Sequence, residues 1–403
     1  MDVTLAKIQA AREELSKHMH PSPLLWNGWL SELFGCQVYL KLENMQPIGS
    51  FKIRGATYKI SKLSEAQKKQ GVIAASAGNH AQGVAWGSRK LGVKALIVMP
   101  TVAPLVKIHN TKTLGAEVVL KGTNYEEAYI AAKELEKETH RILIHAFEDE
   151  TVIAGQGTIG LEILEQLPDV DYVIGALGGG GMMAGIATVF RALKPQTQII
   201  AGQASRCASM VKSIQQGHVI QIESPNTFAD GIAVGKASES MRKILEPLID
   251  EWCEVDDEAI AAGVLTLMEK AKIVAEGSGA VPLACLDQIK EKVRGKKIVL
   301  VVSGGNIDVN VLSRIIDLGL IRSGRRVRIN VLLLDRPGSL AHLTDLIAKQ
   351  GANILQAIHD RNEPSAKIDQ AEVALTLETK GPEHSAALIE ALRKNVLRLE
   401  LTH

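Results

Sequence analysis

At 403 residues the chain exceeds one ordinary hydrophobic core, so two or three domains are expected. Lysine plus arginine (46) balance aspartate plus glutamate (45), and aromatic residues are only 3% of the chain, so neither charge nor stacking surface points to nucleic acid or an anionic membrane. Four scattered cysteines without a CxxC spacing, no apolar amino-terminal leader and no apolar run of membrane-spanning length give the expectation of a cytoplasmic protein with reduced thiols.

The first informative segment is Ser50-Phe51-Lys52-Ile53-Arg54-Gly55, where one lysine stands beside an aromatic ring between Gly49 and Gly55. Gly71–Ala75 reads as a strand leading into the small polar loop Ser76-Ala77-Gly78-Asn79-His80, a candidate anion loop. Ala95–Met99, Glu117–Leu120 and Ile142–His145 read as further strands, and their alternation with helical segments predicts α/β units. Tyr172–Leu177 runs into Gly178-Gly179-Gly180-Gly181 and then Met182–Ala187, a pattern of strand, tight loop and helix start. Such a loop closes its N–H groups around a phosphate at the positive end of a helix. A flexible turn is the alternative, and the position between a buried strand and a helix favours the phosphate.

Lys297–Val302, short and β-branched, reads as a strand buried on both faces of a parallel sheet. It ends at Ser303-Gly304-Gly305-Asn306, where the Ser303 hydroxyl either meets a ligand at the strand's carboxyl end or caps the next helix. A lysine amine, a phosphate cradle and a partner for a ring nitrogen are the requirements of an aldehyde cofactor, pyridoxal phosphate. Leu318–Arg326 is basic and glycine-containing and reads as a linker. Beyond it come strand Val327–Leu334, turn Asp335–Gly338, helix Ser339–Gln350, strands Asn353–His359 and Gln370–Leu377, helix Pro382–Arg393 and strand Val396–Leu401. That is the βαββαβ order of a ferredoxin-like unit.

Gly49–Ala56, Ser76–Gly83, the tetraglycine, Phe228–Val234, Glu276–Ala280 and Ser303–Asn306 together resemble, in order, the motifs of threonine dehydratases (threonine ammonia-lyases) of the fold-type II pyridoxal-phosphate family. The resemblance covers nearly the whole chain. It implies an α/β catalytic domain over residues 1–320, made of two parallel-sheet lobes with the small lobe of about 45–150 inserted in the larger and the cofactor between them. It also implies Lys52 as the Schiff-base lysine and α-proton base, with Phe51 close to the ring. Gly178, Gly179, Gly180, Gly181 and Met182 match the phosphate loop, Asn79 the partner of the cofactor's 3-hydroxyl, and Ser303 the partner of its ring nitrogen. Ser76 and Ala77, with the backbone of Gly78, Asn79 and His80, match the loop that holds the substrate carboxylate.

The implied reaction is β-elimination of L-threonine to 2-oxobutanoate and ammonia, with L-serine also accepted because it differs by one methyl. Serine racemases and hydroxyaspartate ammonia-lyases of the family are the alternatives. Racemases resemble a Ser-Ser-Gly-Asn-His pattern in the anion loop, and Ala77 has no proton to give, so the dehydratase reading is preferred. Gln203 stands where metal-dependent relatives carry glutamate, which weakens the case for a divalent cation, and no metal is assigned.

Asp335–Leu340 and Gly351–Ile354 make residues 327–403 similar to an ACT domain. That likeness implies an amino-acid effector such as isoleucine or valine, and a place in isoleucine biosynthesis, with a purely oligomerising module as the alternative. A homodimer or homotetramer is expected. His80 is expected to offer its amide and pack locally, His109 and His145 to be ordinary surface or satisfied core positions, Arg54 to be structural, and Asp230 to sit in a turn before Gly231, with contact to the active site as its alternative. Glu276 stays open between lining the pocket and ligating a cation.

Overall fold

The short apolar runs of the sequence form the central strands of two parallel sheets. In the computed structural model, which describes residues 1–223, 225–362 and 367–402, Val72–Ala75 and Ala95–Met99 are buried at every position and pair in parallel. Glu117–Leu120 and the two-residue strand Ile142–Leu143 flank them in a four-stranded sheet. The expected strand Ile142–His145 therefore stops early, because the chain turns at His145, whose Nδ1 accepts the N–H of Glu148 at 2.8 Å.

A six-stranded sheet runs in the spatial order Leu24–Trp26, Gln37–Leu42, Lys297–Val302, Tyr172–Ala176, Gln198–Ala204, Glu251–Val255. All its pairings are parallel except that of the edge strand Leu24–Trp26. Every strand of the four-stranded sheet comes from the stretch of chain between Gln37–Leu42 and Tyr172–Ala176. The Ser76 loop, the tetraglycine and Ser303 each follow the carboxyl end of a parallel strand, where open α/β sheets place their ligands.

Helix Glu150–Gln166 holds these loops in mutual register. It packs against helix Lys52–Ser61 on one side and helix Gly181–Leu193 on the other, backbone to backbone. A Cβ on Gly155 would stand 2.7 Å from Gly55 Cα, and one on Gly185 would stand 2.6 Å from Gly157 N, so any side chain there forces the helices apart.

The helix that begins with Lys52 is anchored from below by a buried ionic cluster. Arg54 donates to both oxygens of Glu43 (2.7 and 2.8 Å) and both oxygens of Glu162 (2.7 and 2.8 Å), and Lys41 Nζ reaches Glu162 Oε2 at 2.7 Å. All four side chains are essentially sealed from water. Burial alone would raise the Glu162 carboxyl, but the Arg54 charge and hydrogen bonds outweigh it and hold Glu162 below the usual carboxylate range. The structural expectation for Arg54 thus acquires its partners.

The chain divides after Asp308 into a second compact unit, Val309–His403. Its antiparallel sheet runs Asn353–Asp360, Gln370–Glu378, Arg326–Leu334, Arg398–Leu401, over a core that includes Ile329, Val331, Leu343, Val373 and Leu388. The predicted linker Leu318–Arg326 is corrected: Val309–Arg322 is a continuous helix and Arg326 already begins a strand. Gly319 lowers helix propensity by only about 1 kcal/mol, too little to break an apolar-faced run. Among the described residues, no helix is long and apolar enough to cross a membrane.

Candidate active site

Lys52 is the first residue of its helix, and the segment before it is pinned to the end of the strand Lys297–Val302. Phe51 N–H donates to Ser303 O at 3.0 Å, Ser50 bridges Gly304, and Gly305 N–H donates to Gly49 O at 2.9 Å. The half-buried Lys52 side chain borders a cavity, its amine donating to Ala146 O at 2.9 Å and lying 5.2 Å from the centre of the Phe51 ring. Burial lowers this amine to about 8, against the opposing pull of Glu276.

Opposite the lysine, Gly178–Gly181 forms the turn that opens helix Gly181–Leu193. Gly180 adopts φ +94°, a left-handed conformation that other residues rarely hold, and a Cβ on Gly179 would meet the Phe147 ring at 2.3 Å. The chain therefore lies as bare backbone beside the free N–H groups of a helix start. The same small cavity is lined by Phe51, Lys52, Asn79, Met182, Ser278 and Ser303.

Ser303 is 3% exposed and its Oγ has only a 3.5 Å contact with Ser278 Oγ, so its hydroxyl keeps hydrogen-bonding capacity. The helix-capping alternative is corrected, since the next helix starts at Val309. A weakly basic amine, a glycine cradle at a helix start and a buried, nearly unengaged hydroxyl fit an aldehyde that carries a phosphate and a ring nitrogen.

The Ser76–His80 loop shares a larger cavity of about 770 Å³ with Lys52. Ser76 Oγ accepts from Gly78 N–H at 3.1 Å, and the helix Asn79–Lys90 follows at once, so the loop again presents helix-start N–H groups. His80 Nε2 donates to Ile144 O at 2.8 Å, and burial, helped by the Lys52 charge, pushes the ring down to about 3. His80 is therefore neutral with its Nε2–H engaged, and so low a pKa makes its ring a weak acceptor for an α-proton. His109 is exposed, and His145 closes a turn.

Asn79 is held at both ends of its amide: Nδ2 donates to Glu276 Oε1 and Oδ1 accepts from Asn306 Nδ2, each at 2.7 Å. Asp230 does sit in a turn, Asp230–Ile232, and its carboxylate also pairs with Lys107 where both border the larger cavity. Gln203 caps the helix Ser209–Gln216 by accepting Val211 N–H at 3.1 Å. Among the described residues no group of three or more His, Cys, Asp or Glu side chains is placed to hold a metal ion.

Sequence reasoning missed Phe147, Lys107, Gln221, Ile222, Glu223 and Lys236, which line the larger cavity, whereas Asp230, Gly231, Ala233 and Val234 on the same wall belong to the motif Phe228–Val234. Only Phe147 left a trace in the sequence, as an aromatic residue just past a strand's carboxyl end.

Residues 15–304 match the family model described as pyridoxal-phosphate dependent enzyme, and residues 327–396 match that of the ACT domain. The chain belongs to the pyridoxal-phosphate dependent enzyme family and carries an ACT domain after its catalytic unit, so pyridoxal phosphate is its cofactor. It is 46% identical over 382 residues, 95% of each chain, to an L-threonine ammonia-lyase of Thermotoga maritima. Among solved structures it resembles the processed form of threonine deaminase isoform 2 from Solanum lycopersicum, with TM-score 0.75, 39% identity, and coverage of 78% of this chain and 92% of that one. It also resembles maize serine racemase, with TM-score 0.75, 31% identity, and coverage of 80% and 99%.

Proposed function

We propose that the protein is an L-threonine ammonia-lyase that converts L-threonine to 2-oxobutanoate and ammonia and also accepts L-serine. The observation that carries this reading is the Lys52 amine, lowered to about 8 and set in one site with the glycine cradle and the Ser76–His80 loop. Pyridoxal phosphate, when bound, supplies the electron sink that makes an amino acid's α-proton removable. Gly178–Met182 would hold its phosphate, Ser303 its ring nitrogen and Asn79 its 3-hydroxyl.

Lys52 serves as the base that takes the α-proton, because an amine lowered to about 8 has a far larger neutral fraction near neutral pH than an ordinary lysine. Ser76, Ala77 and the N–H groups of Gly78, Asn79 and His80 hold the α-carboxylate and orient the α-proton towards Lys52. Phe51 and Phe147 supply apolar walls that keep water from the reacting carbon. The hydroxyl of Ser303 offers the ring nitrogen a neutral partner, which favours loss of the β-hydroxyl over transamination.

A second reading, serine racemase, is favoured by the likeness to the maize enzyme. Racemisation needs an acid on the face opposite the lysine, and Ala77 offers none. Release of 2-oxobutanoate and ammonia from L-threonine, lost in Lys52→Ala, tests the lyase. D-serine formed from L-serine without oxo acid would replace it by the racemase.

The ACT unit binds an amino-acid effector such as isoleucine or valine in this reading, and the enzyme serves isoleucine biosynthesis. A cavity of about 330 Å³ within that unit, walled by Leu333, Leu343, Leu346 and Val396, supports an aliphatic effector. The cytoplasm is the proposed compartment, supported by four free, buried cysteines. A homodimer or homotetramer is proposed, supported by the exposed apolar residues Leu25, Trp26, Trp29 and Leu33 clustered at the amino-terminal edge strand and the helix after it. Turnover with and without L-isoleucine, and the mass in solution, test these.

A further inference from the structure

Glu276 has no role in the chemistry above, yet it is 3% exposed at the start of helix Gly277–Ile289 and borders the cavity of Lys52 and Ser303. Its Oε1 accepts from Asn79 Nδ2 at 2.7 Å and from Ser278 Oγ at 2.6 Å. Each donor leads on to a residue of the proposed cofactor site. Asn79 is itself such a residue, and its Oδ1 is fixed by Asn306 Nδ2 at 2.7 Å, which in turn donates to Ile48 O at 2.8 Å. Ser278 Oγ lies 3.5 Å from Ser303 Oγ. The backbone is shaped around this carboxyl as well, since a Cβ on Gly304 would stand 2.4 Å from Glu276 Oε1.

We propose that Glu276 is a positioning residue for the reaction, acting through Asn79 on one arm and through Ser278 and Ser303 on the other to orient both hydrogen-bonding groups at the cofactor ring. The proposal rests on the reading of Asn79 and Ser303 given above. Asn79 cannot flip without facing its amino group to Asn306 and its carbonyl to a carboxylate, so an ionised Glu276 leaves it one orientation. Ser278, its one proton committed to the same oxygen, has none to give Ser303, so the Ser303 proton is the one left for a ring nitrogen.

The charged groups that face this carboxyl are Lys52 from the lysine helix, Lys107 from helix Leu105–Thr113, and Asp230 from its turn, with Asp308 across the neighbouring cavity. Burial, with a further contribution from Asp230, pushes Glu276 up to about 7, against the Ser278 and Asn79 hydrogen bonds and the charge of Lys107. The relay is thus tight above neutrality, where the carboxylate accepts both bonds fully, and slackens below it.

The test is the pH dependence of the visible absorbance of the bound cofactor, without substrate, together with kcat and KM, in the holoenzymes of wild type, Glu276→Gln and Glu276→Asp. The wild type is expected to show an inflection near pH 7 that Glu276→Asp keeps and Glu276→Gln loses while still holding cofactor. In Glu276→Gln, kcat falls about 10- to 100-fold with KM little changed, the span expected when charge-assisted hydrogen bonds become neutral. A Glu276→Gln enzyme that titrates like the wild type overturns the proposal.

Should the variants fail to hold cofactor, the pH-difference infrared spectrum of the wild-type holoenzyme decides. A protonated-carboxyl band lost between pH 6 and pH 8 supports Glu276, and its absence overturns it. Because the absorbance and infrared arms need no substrate, a failure of the threonine assignment shows up separately, in the product assay.

Discussion

Phe51 N–H donates to the carbonyl of Ser303 at 3.0 Å, which makes the residue before the lysine and the residue just after the strand Lys297–Val302 one structural unit. Lys52 and Ser303 are therefore placed by the same contact, and their spacing is set by backbone rather than by flexible side chains.

In the proposed mechanism, replacing Lys52 by alanine removes both the covalent anchor and the base. Release of 2-oxobutanoate from L-threonine is expected to fall by at least about 10²–10⁴-fold, the range for loss of a positioned base alone. In the wild-type apoprotein, with the amine near 8, the rate of cofactor capture should climb with pH and level off above about pH 8, because only the neutral amine attacks. Stopped-flow absorbance after adding pyridoxal phosphate reads this, and a pH-independent rate would contradict it.

Gly180→Ala places a methyl group at φ +94° and within 2.5 Å of Leu245 Cδ1. Strain of about 1–3 kcal/mol falls on the cradle, so cofactor affinity should weaken on the order of tenfold or more while the sheets stay intact. Fluorescence titration of the apoprotein with pyridoxal phosphate, alongside circular dichroism, separates the two effects.

Arg54→Ala leaves Glu43 and Glu162 buried without their main cation. A loss of about 3–5 kcal/mol in unfolding free energy is expected, read by denaturant titration, with Arg54→Lys falling between. Glu162 is held below its unfolded value near 4.5, so its stabilisation is fully present above that pH and is lost as pH falls through the lower folded value. Wild type should therefore lose more stability than Arg54→Ala on acidification below about pH 4.5.

Lys107 and Asp230 pair across the cavity mouth with 22% and 52% of their side chains exposed, so solvent screens the pair. Its worth is at most about 1 kcal/mol, and Asp230→Asn should raise KM for L-threonine by no more than about fivefold. The difference should shrink at high salt. A change of several hundredfold would mean that Asp230 contacts substrate directly.

Elements whose signal is local were legible in the sequence. The strands Val72–Ala75, Ala95–Met99 and Lys297–Val302 announced themselves as β-branched or apolar runs, and the βαββαβ order after Arg326 was read nearly to the residue. Local signals failed where breakers were over-weighted: Gly319 and the basic residues around it suggested a linker, yet the apolar face of Val309–Arg322 keeps the helix going. Ser303 as cap or ligand could not be settled locally either, because the answer depends on where the next helix begins.

By itself, the sequence determined the cofactor class and the order of the two units, and it marked the lysine and glycine cradle proposed for the site, because each is written in a few adjacent residues whose conformational needs are intrinsic. Only the tertiary structure decided which groups those residues meet. Asn79 finds Glu276 across 197 residues and Arg54 finds Glu162 across 108, pairings that no local pattern encodes. Burial, also a property of the folded whole, then moves the Lys52 amine down to about 8 and the Glu276 carboxyl up to about 7, values that neither side chain has in water.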